Sequence, residues 1–578
     1  MTGPAAPKDP EKARPFFYIL KDKDIFGERQ KDGTGIQFIY ESDGRLINSA
    51  QITGNVTDKE ELTLLETVEG FGRLVHSIGV SVEMDRPEET AEFVFQMYGK
   101  KDLYGGGTNL TASLKCDGME HRIYLSDYRW TEDDHVPGQI KILFAAPERM
   151  GKVSVRLFLN DGYEAPPEEE DLVIDMHSEE YCGMISRSLL QLGNPYRIRK
   201  AIEKSKAGKE VTLAYIGGSI TQGAGAIPIH TECYAYKSFQ LFQNRFSTQN
   251  NDRFIKAGVG GTPSELGMIR FDRDVLREEE RPDIVVIEFA VNDEGDETKG
   301  VCYESLVRKV LKLPWKPAVV LLFSVFANDW NLQERLRPVG DLYDLPMVSI
   351  RDAVTPQFSL KCGEGRILSK NQFFYDIFHP NNIGHTIMAD CLQYLFECCD
   401  AAEPARVGTF VEGMTEEQIL SEKLSGPAVI GADFERIFLL DKKNRYVGAK
   451  IRAGGFTSTD IGLQSVEMDG NLTQTPEFPY NWMYDGSRLQ MPGFEMEITC
   501  KSLFLIFKDS GEMDVGKANV FVNDVYCMTA DPHKNNWLHC NAVLLFWETE
   551  SRSHKVRIAV TEEDRNKKFT ILGFGYTI

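Results

Sequence analysis

Long hydrophobic runs, cysteine pairs and excess positive charge are all scarce in this sequence of 578 residues. The longest apolar stretches, such as residues 318–326, are far too short to span a bilayer. The 65 Lys and Arg residues are outnumbered by 87 Asp and Glu residues, which leaves a formal net charge of -22. This charge repels phosphate backbones and anionic lipids. We therefore expect neither nucleic acid nor a membrane as the main partner, and a neutral substrate fits better.

The eleven cysteines are an odd set without any Cys-x-x-Cys spacing, and Cys398 and Cys399 are adjacent. This pattern argues against a disulfide framework or a zinc site and favours reduced thiols in the cytoplasm. Residues 1–14 contain proline and charges but lack the apolar segment of a signal peptide. No His/Cys/Asp cluster has the spacing of metal ligands. We expect a cytoplasmic protein that needs no metal and no other cofactor.

The length predicts more than one hydrophobic core. Residues 1–175 contain short apolar or alternating runs between turn residues, which predicts a β-rich domain. Residues 176–405 alternate apolar runs with helical segments, which predicts parallel strands with crossover helices on both faces of one sheet. Closely spaced strand patterns return in residues 406–578 and predict a β-sandwich or jelly-roll domain. The flanking domains are candidates for glycan binding, for closing over the site or for homo-oligomer contacts.

Five short segments of the central region carry polar groups in a fixed order. They are residues 217–221 (Gly-Gly-Ser-Ile-Thr), 258–262 (Gly-Val-Gly-Gly-Thr), 291–293 (Val-Asn-Asp), 376–380 (Asp-Ile-Phe-His-Pro) and 384–385 (Gly-His). The first three each follow an apolar run, so they lie at carboxyl ends of predicted strands. In parallel α/β sheets the active site lies outside those ends. Topology and chemistry therefore point to the same edge of the sheet.

These segments supply every part of a serine-dependent acyl-transfer site. The Ser219 hydroxyl needs a base to become a nucleophile, and His379 is the candidate base. Asp376, three residues earlier, would hold the histidine tautomer and stabilise its charged form. Backbone N–H groups of Ser219 and Gly261, with the Asn292 side-chain amide, would bind the oxyanion of the tetrahedral intermediate.

Each segment alone has a simpler interpretation. A Gly-Gly-Ser sequence after a strand is more often a turn or a phosphate-binding loop, although no lysine near Thr221 completes a nucleotide-binding motif. The second segment alone is a glycine-rich turn, Asn292 alone an Asx-turn, and His379 alone a structural histidine. The complete ordered set predicts a hydrolase.

The segments resemble the SGNH, or GDSL-type, serine hydrolases, whose four blocks carry Ser, Gly, Asn and His. Here these are Ser219, Gly261, Asn292 and His379, and Asp376 matches the acid of the family's Asp-x-x-His-Pro motif. The resemblance covers roughly residues 205–400. It implies a flavodoxin-like three-layer α/β/α fold and hydrolysis of carboxylic esters without a cofactor.

The chain departs from the family pattern at several positions. Gly218 replaces the aspartate of the family name, Ala290 stands where glycine is usual, and Lys256-Ala257 replaces the common asparagine before the second block. The string Gly-Gly-Ser-Ile-Thr-Gln-Gly is similar to bacterial carbohydrate esterases that remove O-acetyl groups. An SGNH domain beside β-sandwiches also resembles acetyl-xylan and acetyl-mannan esterases. The resemblance thus implies an acetylated oligosaccharide as substrate.

Two tryptophans are candidates for sugar stacking, and both have an equally good alternative. Trp330 follows the run at 318–326, and Trp482 lies in an aromatic cluster of the C-terminal region. For each ring, packing in a hydrophobic core explains the sequence as well as sugar stacking does. Trp482 would contribute one wall of a sugar-binding cleft.

Several neighbours of the motifs are expected to be structural. Arg270 and Asp274 are an i, i+4 pair, for which a surface ion pair is favoured over a site-orienting role. Asp293 is expected to cap a helix, and His385 to be structural. His230, Glu232 and Tyr234 follow the nucleophile segment and are weaker candidates for lining the acyl or sugar pocket.

Two rival functions remain open at this stage. One is an SGNH lipase, thioesterase or aryl esterase, although no long amphipathic segment near the site predicts a lid for lipids. The other is a carbohydrate-binding protein with an inactive central domain, which the complete set of site residues argues against.

Overall fold

The chain forms a β-rich region, an α/β region and a second β-rich region in that order. The structure is a computed structural model that describes residues 9, 12–40, 45–101, 106–168, 170–277, 279–402, 414–467, 474–487 and 492–578. The domain boundary predicted at residue 405 lies outside these residues. Within this described part, no helix combines the length and apolar character needed to cross a membrane.

The N-terminal region contains two antiparallel sheets around one core. The strands are β1 Phe16–Phe26, β2 Glu28–Arg29, β3 Gly35–Tyr40, β4 Val75–Met84, β5 Thr90–Gly99, β6 Asn109–Lys115, β7 His121–Tyr124, β8 Asp134–Phe144 and β9 Met150–Leu159. One sheet has the order β1-β9-β4-β7 and the other β2-β3-β8-β5-β6. Alternate residues of the strands face inward, and rings such as Phe71, Phe93 and Phe95 fill the space.

Three short helices interrupt this region, where the sequence analysis predicted strands and turns. They are α1 Arg45–Ile52, α2 Lys59–Leu64 and α3 Val68–Leu74. Asp58 caps α2 by accepting the N–H groups of Glu60 and Glu61. Asparagine or aspartate followed by acidic residues is a helix start signal. The sequence therefore contains a helix start signal, but the strand patterns on both sides favoured a prediction of strands.

The central region is built on a six-stranded sheet of order β10-β15-β14-β13-β11-β12. Its strands are β10 Leu189–Gln191, β11 Thr212–Gly217, β12 Arg253–Gly258, β13 Ile284–Glu288, β14 Ala318–Phe323 and β15 Met347–Ser349. All pairs are parallel except the edge pair β10 and β15. The five parallel strands, taken in chain order, lie in the spatial order 2-1-3-4-5 of flavodoxin-like sheets.

Helices cover both faces of this sheet, as the strand–helix alternation predicted. They are α4 Glu179–Ser186, α5 Tyr196–Lys206, α6 Ser219–Gln222, α7 Ile229–Glu232, α8 Tyr234–Phe246, α9 Ser264–Phe271, α10 Val301–Leu311, α11 Gln333–Tyr343, α12 Ile350–Phe358, α13 Lys370–Phe373 and α14 Asn382–Ala401. In β11, Leu213 and Tyr215 enter one hydrophobic core while Ala214 and Ile216 enter another. Helices α4 and α5 precede β11 and are separated by the short edge strand β10.

The C-terminal region begins with helix α15 Glu416–Ser425 and continues as strands. These are β16 Phe438–Leu440, β17 Ala449–Arg452, β18 Ser465–Glu467, β19 Gln474–Pro476, β20 Trp482–Tyr484, β21 Phe494–Asp509, β22 Ala518–Val522, β23 Val525–Ala530, β24 His539–Val560 and β25 Phe569–Thr577. Eight of them form one sheet, and β18 pairs with β19. The long strands β21 and β24 pair with each other, with register shifts near Ser502.

The C-terminal sheet shares its core with the central region. Phe504 and Ile506 of β21 and Leu572 of β25 belong to the same buried cluster as Ile269 of α9. Any Cβ at Gly575 would lie 2.7 Å from the Ile269 side chain. The two regions therefore pack directly on each other, which brings C-terminal loops to the carboxyl edge of the central sheet.

Candidate active site

The predicted site residues meet at the topological switch point of the central sheet. Ser219 begins α6, directly after β11, and Asn292 follows the neighbouring strand β13. Chain connections leave these two strands in opposite directions, which opens a crevice at their carboxyl ends. The structure therefore brings the candidate residues Ser219 and Asn292 to the edge of the sheet that the sequence predicted.

Ser219, His379 and Asp376 form a continuous hydrogen-bonded series. The Ser219 Oγ lies 2.9 Å from His379 Nε2, and His379 Nδ1 lies 2.9 Å from both Asp376 carboxylate oxygens. Because a carboxylate only accepts, the histidine proton lies on Nδ1 and Nε2 is left to accept from the serine hydroxyl. The histidine and aspartate side chains are 17% and 19% exposed, so solvent and substrate can reach them.

The segment from Asp376 to His379 is a tight turn that orients its own side chains. Asp376 Oδ1 accepts the backbone N–H groups of Phe378 and His379, each at 2.8 Å. Helix α14 begins directly afterwards, where the Asn381 side chain caps the N–H of Gly384. The carboxylate is thus held by the turn it belongs to, as the three-residue spacing predicted.

Asn292 packs against the backbone of Gly218, so in this chain a side chain at position 218 would displace the Asn292 amide. A Cβ at position 218 would lie 2.3 Å from Asn292 Oδ1 and 2.7 Å from Nδ2. Contacts below 3.0 Å require the neighbour to move, so only glycine fits beside this amide. The Asn292 Oδ1 is buried without a hydrogen-bond partner among the described residues.

The C-terminal region holds the loop that contains Gly261. Gln464 Nε2 donates to the Gly260 carbonyl at 2.8 Å, and the Cys540 N–H donates to Gln464 Oε1 at 3.1 Å. His539 Nε2 donates to the Gly261 carbonyl at 3.1 Å. Gly261 has a φ of +70°, a conformation that favours glycine. Two consecutive peptide groups of the loop are therefore fixed from outside the central region.

Trp537 lies directly over the same loop. A Cβ at Gly261 would approach the Trp537 ring to 2.9 Å, and the indole is nevertheless 45% exposed. The ring contacts His539 with centroids 4.7 Å apart. An exposed aromatic face thus stands beside the proposed oxyanion donors.

The interpretation of Arg270 and Asp274 as a surface pair is wrong. Both side chains are buried, at 1% and 0% exposure, and form an ion pair of 3.0 Å. Arg270 Nη2 also donates to the Gly217 carbonyl at 2.9 Å. Gly217 ends β11 two residues before Ser219, so the pair supports the nucleophile strand. The i, i+4 spacing could not reveal the burial of Arg270 and Asp274, because these side chains are buried by the C-terminal sheet that packs on α9.

Buried carboxyl groups lie beneath the site. Burial raises the pKa of Glu288, which ends β13, to about 7, and its Oε2 accepts from the Thr221 hydroxyl at 3.1 Å. Burial and the nearby Asp296 raise the pKa of Asp293 to about 8. Asp293 accepts both the N–H and the hydroxyl of Ser264 at 2.7 Å. Its predicted role as a helix cap is confirmed, with α9 as the helix.

One group of potential metal ligands occurs among the described residues, and all three of its side chains are buried. Glu265, Asp296 and Cys302 place ligand atoms within 4.8 Å of one another. Burial and Asp296 raise the pKa of Glu265 to about 10, and burial raises the thiol pKa of Cys302 well above its usual range. Metal ligands must be deprotonated. Asp296 is already engaged by the N–H groups of Thr298 and Gly300.

His385 is structural, as expected. Its Nδ1 accepts the Tyr234 N–H and its Nε2 donates to the Ala224 carbonyl, each at 3.1 Å. Burial lowers its pKa to about 3, so the ring stays neutral. Tyr234 stacks on this ring and is fully buried, and Glu232 pairs with Lys237 at 2.7 Å. These contacts hold the loop after the nucleophile.

The two tryptophans singled out for sugar stacking have different surroundings. Trp482 is 5% exposed and packs against Phe494 and Phe574, so no ring face is left for a sugar and the core interpretation is supported. Trp330 is half-buried and stacks on Phe326 with centroids 5.7 Å apart. Trp537, His539 and Gln464 were not predicted from the sequence. Trp537 and His539 lie about 160 residues after Asp376, and Gln464 lies in another distant loop. No local motif marks any of the three.

Comparisons with known proteins agree with the site. Residues 215–387 match the model of the GDSL-like Lipase/Acylhydrolase family. A two-domain esterase (CEX) active on acetylated mannans has a similar structure, with a TM-score of 0.54 and 24% identity over 68% of this chain and 98% of that chain. Its form co-crystallised with mannopentaose matches equally, over 97% of that chain. No protein of curated function matches the chain significantly.

The family match covers the second half of β11, the turn that carries Asp376 and His379, and every candidate site residue between them. The fold similarity extends beyond this segment and includes β-rich sheets next to an α/β sheet. The central region of this chain is an SGNH/GDSL-type domain, and the protein is a carboxylic ester hydrolase.

Proposed function

We propose that this enzyme removes O-acetyl groups from acetylated oligosaccharides derived from mannan or xylan, through an acyl-enzyme on Ser219. The observation that carries this proposal is the series Ser219–His379–Asp376, with 2.9 Å between successive polar atoms. Nucleophile, base and orienting acid stand in hydrogen-bond reach of one another.

In the acylation step, the Ser219 Oγ attacks the acetyl carbonyl carbon and gives its proton to His379 Nε2. The new C–O bond leaves a tetrahedral intermediate whose oxyanion faces the N–H groups of Ser219 and Gly261 and the Asn292 amide. Collapse breaks the bond to the sugar oxygen, which takes the proton from His379. Asp376 stabilises the histidine cation that exists between these two transfers.

In the deacylation step, His379 takes a proton from water as the water oxygen attacks the acetyl-serine. The second tetrahedral intermediate uses the same oxyanion donors. Its collapse returns the proton to Ser219 Oγ and releases acetate. Neither step requires a metal ion or an organic cofactor.

A neutral glycan as substrate is supported by three independent features. One structural neighbour, similar over 68% of this chain, is an esterase active on acetylated mannans. The exposed Trp537 ring beside the Gly261 loop offers a flat apolar face of the kind that sugars cover. The net charge of -22 disfavours anionic substrates.

We further propose that residues 1–175, 176–405 and 406–578 are three domains. The N-terminal region has a hydrophobic core of its own. The C-terminal region has one core of its own and shares another with the central region. The catalytic domain and the C-terminal domain would therefore function as one unit.

The test is mass spectrometry of defined acetylated manno- and xylo-oligosaccharides before and after incubation with the enzyme. We expect stepwise loss of acetyl groups with an intact sugar backbone, and no loss with Ser219→Ala. A wild-type enzyme that cleaves p-nitrophenyl acetate but leaves every acetylated oligosaccharide unchanged would overturn the proposal.

A further inference from the structure

A second cavity lies between the N-terminal region and the central region. Its volume is about 570 Å³, within the range of roughly 300–1,000 Å³ that small-molecule sites occupy. One wall is formed by β1, α1 and the turn after α1, and the other by the segment after β14, residues 358–371 and the turn at Ile377 and Phe378. Ser219 and His379 are not among the residues that line it. We call it the side cavity.

Three of the four cations that line the side cavity pair with carboxylates, of which Glu168 and Asp171 also line it and Asp329 does not. Lys21 pairs with Glu168 at 3.0 Å, and Arg366 lies 3.9 Å from Asp171. A third cation, Lys370, pairs with Asp329 at 3.1 Å and also donates to a backbone carbonyl. The fourth lining cation, Lys361, is exposed at the rim. A phosphate or carboxylate ligand would therefore compete with existing carboxylates, whereas a neutral ligand would not.

The remaining lining combines aromatic rings with amide side chains. Tyr18, Phe326 and Phe378 contribute rings, and Asn48 and Asn328 contribute amides from opposite walls. An amide both donates and accepts hydrogen bonds, as a sugar hydroxyl does. Polar and apolar side chains therefore both line the cavity, and polar groups fix the orientation of a ligand in such a site. This composition suits a ligand that is neutral, rich in hydroxyl groups and apolar on its ring faces.

The side cavity adjoins the turn that carries Asp376 and His379. Ile377 and Phe378, which line it, are the two residues between Asp376 and His379. The Phe378 ring lies 6.1 Å from the His379 ring and 5.0 Å from Phe326, centroid to centroid. A ligand in the cavity would therefore contact the same turn that carries the catalytic histidine.

We propose that the side cavity binds sugar units of a neutral oligosaccharide, namely those of the substrate beyond the unit that carries the ester. This inference rests on the proposed function. It assigns to the N-terminal region the task of holding the part of the chain that does not react. The enzyme would therefore favour oligosaccharides over acetylated single sugars.

The test is isothermal titration calorimetry with unacetylated mannopentaose and xylopentaose. Two variants fill the cavity from opposite walls, Gln51→Trp from α1 and Asn328→Trp from the central region, and both positions are exposed to solvent. Glu66→Trp is the matched control, because Glu66 is exposed in the same N-terminal region but does not line the cavity. A milder variant, Asn328→Asp, removes the amide donors without adding bulk and keeps the acceptor for the Trp330 N–H.

We expect the wild-type protein and Glu66→Trp to bind at least one pentaose, and both filling variants to bind it at least tenfold more weakly with an unchanged Tm. Asn328→Asp should weaken binding about threefold or more. Equal binding by the wild type and Asn328→Trp, or no binding of either pentaose by the wild type, would overturn the inference. The proposed function is judged separately, by acetate release from acetylated oligosaccharides. If the wild-type enzyme releases acetate but the cavity variants bind the pentaoses as well as the wild type does, only the side-cavity site is refuted.

Discussion

Gln464 of the C-terminal region donates its side-chain amide to the carbonyl oxygen of Gly260 across 2.8 Å. The same peptide group carries the N–H of Gly261, one of the proposed oxyanion donors. The orientation of the Gln464 amide is fixed, because its Oε1 accepts the N–H of Cys540. A hydrogen bond at a carbonyl polarises the whole peptide group and strengthens its N–H as a donor. We therefore expect the C-terminal region to strengthen the proposed oxyanion donor.

Gln464→Ala should lower kcat about three- to tenfold with little change in KM. One neutral hydrogen bond contributes about 0.5–1.5 kcal/mol, and the oxyanion forms only after binding. Steady-state kinetics on p-nitrophenyl acetate would measure the effect. The matched control is Glu435→Gln, which removes a C-terminal carboxylate that pairs with Arg308 and Lys312, away from the oxyanion loop. If kcat falls by the same factor in both variants, Gln464 only helps to hold the C-terminal region against the central region.

Gly218→Ala should reduce kcat by about 10²–10³-fold, the loss expected when one oxyanion donor is removed. The added Cβ would lie 2.3 Å from Asn292 Oδ1 and force the amide away. The control is Gly295→Ala, where a Cβ meets nothing within 4 Å. Unchanged turnover in Gly218→Ala with a normal Tm would show that Asn292 does not act on the oxyanion.

The stability of the enzyme should fall as pH rises towards 8, in part because of Asp293. Burial raises the pKa of this carboxyl from its usual 3.8 to about 8. The folded protein thus holds the proton more tightly than the unfolded chain does. The stabilisation from this group is complete below about pH 4 and is lost as pH rises through 8.

Asp293→Asn imitates the protonated form and can still accept the Ser264 N–H, so it should flatten the decline in Tm between pH 5 and pH 9. Thermal unfolding of both proteins at several pH values would measure this. The exposed Asp433 offers a control, since Asp433→Asn changes one charge at an exposed turn. Parallel Tm curves for wild type and Asp293→Asn would contradict the assigned protonation.

Trp537→Ala should raise KM for acetylated oligosaccharides about tenfold or more and affect p-nitrophenyl acetate much less. One aromatic stacking partner contributes on the order of 1 kcal/mol beyond its buried area, and a small ester makes no contact beyond the acyl pocket. Trp547→Ala is the control, because Trp547 is similarly exposed, at 43%, but packs on Phe434. Equal effects on both substrates would make Trp537 a support for the loop alone.

The central fold and the site could be predicted because their signals are local. The run before Ser219 is fully buried in β11, and its alternate residues enter two cores, as a parallel strand between helices requires. The three-residue spacing of Asp376 and His379 closes within one turn. Each of these features depends on a few consecutive residues.

The rest depends on contacts between distant segments, which periodicity does not encode. Arg270 looked like a surface residue because the sheet that buries it begins far along the chain. Gln464 and His539 reach the oxyanion loop from separate loops of the C-terminal region. Trp482 carried the same aromatic signal as Trp537, yet only the packing of β20 and β21 shows which ring is buried.

The most direct test of the central claim is labelling with a serine-directed phosphonate, followed by peptide mapping. We expect one phosphonate per chain, attached to Ser219. Acetate release from acetylated oligosaccharides should fall in proportion to labelling. Ser219→Ala should take up no label. Full acetate release from a completely labelled enzyme, or a label on another residue with Ser219 unmodified, would contradict the assignment of Ser219 as the nucleophile.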